Sequence, residues 1–121
     1  MNNFKIIYLL LFVFNLKKNI LSALKKKIDT DKLTKVADIF SGLAHPIRLE
    51  ILEFLESCEP VTVGEILKEI ECDPTLLTHH LTKMKHIGIL DSTKQGRNVF
   101  YRLVMPEITN IFDCIHNCNI R

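Results

Sequence analysis

The chain has 121 residues, 47% of them hydrophobic and 25% charged, with a formal net charge of +2. That length supports one domain whose core needs neither disulfides nor a structural metal. The composition excludes a disordered chain, a collagen-like repeat and a disulfide-framework peptide. With no glycine-rich phosphate loop, nucleophile–base set or paired carboxylates, the chain does not read as an enzyme.

The small total conceals a segregation of charge. Residues 1–28 hold six lysines (Lys5, Lys17, Lys18, Lys25, Lys26, Lys27) and no acid, whereas residues 29–71 hold four basic and ten acidic side chains. Residues 72–103 then place Lys83, Lys85, Lys94, Arg97 and Arg102 against only Asp73 and Asp91. Such asymmetry says more about partners than the total does.

Residues 1–28 read as an extension apart from the domain at 29–121. Nine apolar residues, Ile6 to Phe14, lie between Lys5 and the Asn15-Leu16-Lys17-Lys18 segment. A helix needs roughly 20 apolar residues to span a bilayer, so the run is too short. It resembles the positive and apolar parts of a secretion signal, but no convincing small-x-small cleavage site follows. Three readings stay open: a misassigned upstream start, a membrane-surface anchor whose lysines meet anionic lipid, or an extra helix packed on the body.

From Asp29 the pattern is helical. Leu33, Val36, Ala37, Phe40 and Leu43 recur at three- and four-residue steps and predict one buried stripe, with Gly42 near the helix end. A second helix starts at Pro46, with Ile47, Ile51, Phe54 and Leu55 inward and Glu50, Glu53 and Glu56 outward. Pro60 closes that connection. Thr62 and Glu65 form a capping box for a third helix running to about Glu71, with Val61 and Ile66 placed as its hydrophobic staple. Asp73-Pro74 then caps and starts a fourth. Two short helices joined by a tight turn suggest helix-turn-helix.

The fourth helix has two faces. Leu77, Leu81 and Met84 point inward, while Thr75, Thr78, His79, Thr82, Lys83 and His86 share the other side. An ordinary solvated face favours Glu and Lys; this one carries hydroxyls, imidazoles and a lysine, groups suited to base edges and phosphates. A hairpin follows, Ile89 to Lys94 and Arg97 to Leu103 about a Gln95-Gly96 turn, with Val99, Tyr101 and Leu103 alternating onto one face. Lys94 and Arg97 put positive charge at its tip, where phosphate or minor-groove contact is expected.

These residues carry a resemblance. The segment from Ala44 to Leu52 (AHPIRLEIL) resembles the opening signature of the ArsR-type (ArsR/SmtB) winged-helix family. Thr78-His79-His80-Leu81 looks like that family's recognition-helix motif, and Gly96 to Leu103 (GRNVFYRL) looks like its wing. The resemblance covers about residues 31–118. It implies a mainly α fold with a small β-hairpin, in the order of four helices, two strands and a last helix. It also implies a homodimeric transcriptional regulator, usually a repressor released from its operator by an inducer, with the first and last helices at the dimer interface. The residues agree for the last helix: after Pro106, the stripe Ile108, Ile111, Phe112 and Ile115 either docks on the first helix or meets a partner. A symmetric pair of reading helices addresses a palindromic duplex with half-sites roughly 34 Å apart.

The family's metal patterns do not carry over. Its arsenical thiolate positions fall at Thr62 and Gly64, and its zinc positions on the last helix at Met105, Glu107, Cys118 and Arg121. A regulator of this kind is cytoplasmic, where thiols stay reduced and structural disulfides are not expected. Cys114 and Cys118, four apart on the last helix, are candidates for a thiol sensor or a soft-metal site, the only cofactor suggested. The plainer alternative is two small apolar side chains at an interface edge; Asp113 and His116 nearby read as surface residues. His80 reads as partly buried and hydrogen-bonded, and His45 as a cap or turn residue. Cys58 and Cys72 lie at helix ends without a CxxC partner.

The leading expectation is a homodimeric winged-helix DNA-binding repressor. Thr75, Thr78, His79, Thr82 and Lys83 would read the major groove, while Lys94 and Arg97 hold phosphate or minor groove. The alternative is a winged-helix protein-interaction module, membrane-held through residues 1–28, whose acidic 29–71 segment suits a basic partner.

Overall fold

The computed structural model describes residues 3–24 and 28–120, and the chain divides into two units, Met1–Leu33 and Thr34–Arg121. The first contains α1 (Asn3–Leu24), in which the side chains from Ile6 to Phe14 are all exposed. No helix among the described residues is long and apolar enough to cross a membrane, as the shortness of that run requires.

Helix α2 (Thr30–Leu43) enters the second unit at Thr34. Here the structure corrects the expectation of a buried stripe. Leu43 is buried, but Leu33 and Phe40 are each 50% exposed, Ala37 is exposed and Val36 is half-buried. Only the end of the stripe enters the single-chain core, and Ala37 and Phe40 stay exposed.

Helix α3 (Pro46–Ser57) begins as its proline dictates, with His45 as N-cap accepting the Ile47 N–H on Nδ1 at 3.2 Å. Ile51 and Leu55 are fully buried and Glu50, Glu53 and Glu56 exposed. The buried set also includes Leu52 and Arg48, outside the expected inner face.

A short strand β1 (Val61–Thr62) precedes α4 (Val63–Glu69), which stops two residues before the expected Glu71. The capping box is complete: Thr62 Oγ1 accepts the Glu65 N–H at 3.3 Å, and Glu65 Oε2 accepts the Thr62 N–H at 2.7 Å. Val61 and Ile66, the expected staple, are both buried.

Helix α5 (Pro74–His86) has Asp73 as N-cap, its Oδ1 accepting the N–H groups of Thr75 at 2.9 Å and Leu76 at 3.1 Å. At the other end Gly88 stands at φ +84°. The Ile89 N–H bonds the Met84 carbonyl at 3.1 Å and the Gly88 N–H bonds that of Lys85 at 3.0 Å. This is the Schellman arrangement, and it needs a left-handed residue at the glycine.

Strands β2 (Leu90–Gln95) and β3 (Asn98–Leu103) form the hairpin, and β1 adds to β3 through Val61↔Tyr101 and Thr62↔Phe100. The antiparallel sheet therefore has the order β1-β3-β2, with a third strand that two residues could not announce. Pairing continues out to Gln95↔Asn98, so the turn is Gly96-Arg97 rather than Gln95-Gly96. Gly96, at φ +62°, takes the first position of a two-residue turn, where glycine meets no steric cost.

Pro106 opens a 3-10 turn (Pro106–Thr109) rather than the last helix itself, and α6 (Asn110–Asn117) follows. Cys118 caps that helix in extended conformation, φ −90° and ψ 132°, so it lies just outside the helix expected to carry it.

Nine large side chains (Ile51, Leu52, Leu55, Ile66, Leu77, Leu81, Met84, Ile89 and Leu90) are fully buried in one cluster. Each contributes about 1.5–3 kcal/mol, whereas a helix cap contributes about 1 kcal/mol. Packing therefore holds α5 in place, and the caps set where it starts and stops. A Cβ at Gly88 meets nothing within 4 Å, so Gly88→Ala costs only the left-handed backbone penalty, about 1–2 kcal/mol. Urea unfolding of the variant should show that loss with an unchanged m-value.

Candidate nucleic-acid interface

The exposed face of α5 follows from what its other face buries. Leu77, Leu81 and Met84 are all at 0% exposure. The helical period then turns Thr75, Thr78, His79, Thr82, Lys83 and His86 outward, and all six are exposed. The face bears no carboxylate; Asp73 sits at the cap, engaged with the Thr75 and Leu76 N–H groups.

The threonines have a defined polarity. Thr78 Oγ1 donates to the Pro74 carbonyl at 3.0 Å, and Thr82 Oγ1 donates to the Thr78 carbonyl at 2.8 Å. With its proton used inside the helix, each hydroxyl offers an acceptor and a methyl group outward. Those suit an exocyclic amine donor of cytosine or adenine and the methyl of thymine. Leu76, 44% exposed on the same side as Lys83, adds an apolar contact to this face. Its only sequence signal is an apolar residue out of phase with the Leu77/Leu81/Met84 stripe.

Lys85 joins this helix to the wing, donating from Nζ to Ser92 Oγ at 2.6 Å. Within the wing, Arg102 pairs with Asp91 at 3.3 Å. The Ser92 N–H and Arg102 hold the Asp91 carboxyl below its ordinary value. Arg102 is thereby committed to the hairpin. Lys83, Lys94 and Arg97 are exposed and in no ion pair among the described residues, leaving three cations available to phosphate.

Behind α5 lies a contact the sequence hid. His80 is 4% exposed, and its ring lies 4.4 Å, centroid to centroid, from that of His45. The expected burial is present, but the expected hydrogen bond is not: neither ring nitrogen has a partner among the described residues. Burial holds the His80 pKa below its ordinary 6.5, and the nearby charges of His45, Arg48, His79 and Lys83 push the same way. Arg48, 7% exposed, donates from Nη1 to the Gly42 carbonyl in the last turn of α2. A cation at a helix C-terminus meets both the free carbonyl and the negative end of the dipole.

The candidate sensor residues also have a geometry. Cys114 and Cys118 are exposed with their sulfurs 3.9 Å apart, and the hydrogen bond with Cys114 pushes the Cys118 thiol up. No cluster of three or more His, Cys, Asp or Glu able to hold a metal occurs among the described residues. At the start of α4, the Thr62 hydroxyl is engaged in the capping box. The stripe on and before α6 is only part-covered: Ile108, Ile111 and Phe112 are half-buried and Ile115 is 39% exposed.

Residues 43–93 match a family model described as a helix-turn-helix domain. An HTH-type transcriptional regulator of Methanocaldococcus jannaschii is 31% identical over 85 residues, which are 70% of this chain and 96% of that one. The chain belongs to the ArsR-type winged helix-turn-helix regulators. The transcriptional repressor PagR of Bacillus anthracis is 26% identical over 74% of this chain and 90% of its own. Its crystal structure superposes with a TM-score of 0.64, covering 72% of this chain and 99% of PagR at 24% identity. A homodimeric winged helix-turn-helix DNA-binding domain from Mycobacterium bovis shares the fold, with a TM-score of 0.62, 22% identity, and 76% and 86% of the two chains covered.

In this ArsR-type chain the buried imidazole has a consequence for stability. Because the folded-state pKa of His80 is lowered, the unfolded chain binds the proton more readily. The stability from neutral, buried His80 is complete above pH 6.5 and falls as pH drops below it. Thermal unfolding should therefore show a midpoint that declines from pH 7.5 to pH 5. His80→Leu should remove much of the slope between those values.

Proposed function

We propose that this protein is a homodimeric repressor that binds a palindromic DNA operator and is released from it by an inducer. The observation that carries this reading is the carboxylate-free exposed face of α5, backed by a fully buried one. Thr75, Thr78, His79 and Thr82 face base edges in the major groove. Lys83 on the helix and Lys94 and Arg97 on the wing hold phosphate or minor groove. PagR is itself a transcriptional repressor.

Dimerisation is supported by the apolar surface left over. Phe40 on α2 and Ile115 on α6 are exposed, and Ile108, Ile111 and Phe112 are part-covered. A second copy would cover them, as in an isologous dimer; the M. bovis domain is homodimeric. Two reading helices related by a two-fold axis then address half-sites about one helical turn apart.

A gel shift on the DNA upstream of its own gene tests the reading. Lys83→Ala and Arg97→Ala should each weaken binding to all sequences, each lowering the salt slope by about 2 for the two subunits. His79→Ala and Thr78→Ala should cost about 1–3 kcal/mol and relax preference at single base pairs. Binding unchanged in the Lys83/Arg97 double variant contradicts the docking. No shift at modest salt favours the protein-interaction module instead.

For the inducer we infer a soft, thiophilic metal ion held by Cys114 and Cys118, whose sulfurs lie 3.9 Å apart beside the proposed dimer stripe. Two subunits bring two such pairs to one interface, and binding releases the thiol protons. Cadmium or arsenite should dissociate the wild-type complex in the same gel shift and leave Cys114→Ser/Cys118→Ser bound. An identical response in the double variant removes the thiols from the mechanism.

A further inference from the structure

The feature that DNA binding does not use is α1. Its residues Ile6 to Phe14 are nine consecutive apolar side chains, and in a helix of 3.6 residues per turn they cover every direction around the axis. All nine are exposed, with Tyr8 at 72%, Phe14 at 66% and Leu10 at 64%. Lys5 stands exposed at one end of the run and Lys17 and Lys18 at the other.

We propose that α1 inserts into one leaflet of an anionic lipid bilayer. It would lie flat just beneath the headgroups, within the hydrocarbon of that leaflet, with Lys5, Lys17 and Lys18 reaching back to lipid phosphates. The first argument is shape. A protein partner covers one side of a helix, and the opposite side of this run would still be apolar and in water. Lipid tails cover all sides at once.

The second argument is size. A helix with its side chains is about 10–12 Å across, and one leaflet supplies about 15 Å of hydrocarbon. The helix therefore fits lying down, its backbone hydrogen bonds satisfied within itself. Upright insertion would drive Lys5 toward the bilayer centre; lying flat, both ends stay within snorkelling reach of the headgroups. This agrees with α1 being unable to span.

The third argument is charge. Residues 1–28 carry six lysines and no acid, and all 14 acidic residues of the chain follow them. A second copy of the segment meets like charge, whereas an anionic headgroup meets its complement. Lysines near such a surface contribute about 1 kcal/mol each. The anchor is independent of the DNA-binding reading, and either can fail without the other.

The test is flotation of the full chain with vesicles of phosphatidylglycerol and phosphatidylcholine in equal parts, or of phosphatidylcholine alone. The wild type should float with the anionic vesicles and much less with the neutral ones. Lys17→Glu/Lys18→Glu should cut binding to anionic vesicles about tenfold or more. Leu10→Glu/Phe12→Glu should abolish binding to both, while circular dichroism confirms that the rest of the chain is folded. The proposal is overturned if the wild type stays with the soluble fraction. Equal binding to both vesicle types that is unaffected by the lysine changes overturns it too. So does light scattering that shows Leu10→Glu/Phe12→Glu splitting a lipid-free oligomer that no vesicle captures, which would assign α1 to a second copy.

Discussion

Everything at the proposed DNA surface depends on burying one side of α5. A helix cannot hide Leu77, Leu81 and Met84 without turning Thr75, Thr78, His79, Thr82 and Lys83 outward. The core thus chooses which residues a ligand meets. Asp73 and Gly88 then fix the ends, one through its carboxylate on the first free N–H groups, the other through a backbone conformation open to glycine. The result is a short, rigid helix with polar chemistry on one side, attached to the wing by Lys85 and Ser92.

The second constraint is the segment His45 to Arg48, which joins three helices. His45 caps α3 and lies against His80 of α5, while Arg48 binds the carbonyl of Gly42 in α2. The end of α2 cannot shift far without leaving the Arg48 guanidinium buried and unpaired, which is costly. The same helix carries Phe40 on the surface proposed for the second subunit. The end of α2 is thus tied to the start of α3, and the cap of α3 lies against the buried side of α5. The thiol pair of Cys114 and Cys118 lies at the end of α6, next to Ile115 of the apolar stripe proposed for that surface.

Local signals in the sequence were legible and tertiary ones were not. The capping box at Thr62 and Glu65, the Asp73-Pro74 start and the inner face of α5 depend on neighbours within four residues, and all three are present. Strand β1 depends on pairing across some forty residues to β3, and two residues carry no period of their own. The hairpin turn lies one residue later because its first position takes a positive φ, which Gly96 adopts without steric cost. The α2 stripe is legible as apolar but its exposure is not, because periodicity reveals an apolar face and not what covers it. The flank position of His80 on α5 is legible from the helical period, but its ring meets the His45 ring and its nitrogens have no partner among the described residues, which no local pattern reveals. In the candidate site, exposure of Thr75, Thr78, His79, Thr82, Lys83, Lys94 and Arg97 was legible. The use of the Thr78 and Thr82 protons within the helix was not.

The central claim is that one face of α5, with the tip of the wing, is the surface that meets DNA. Backbone amide shifts of the full chain, recorded while an affinity-selected operator duplex is added, test it most directly. The account predicts that the large changes fall on residues 75–83 and 94–97, with those of α4 and the outer face of α3 small. Changes centred on the acidic α3 face, with α5 unaffected, would contradict it.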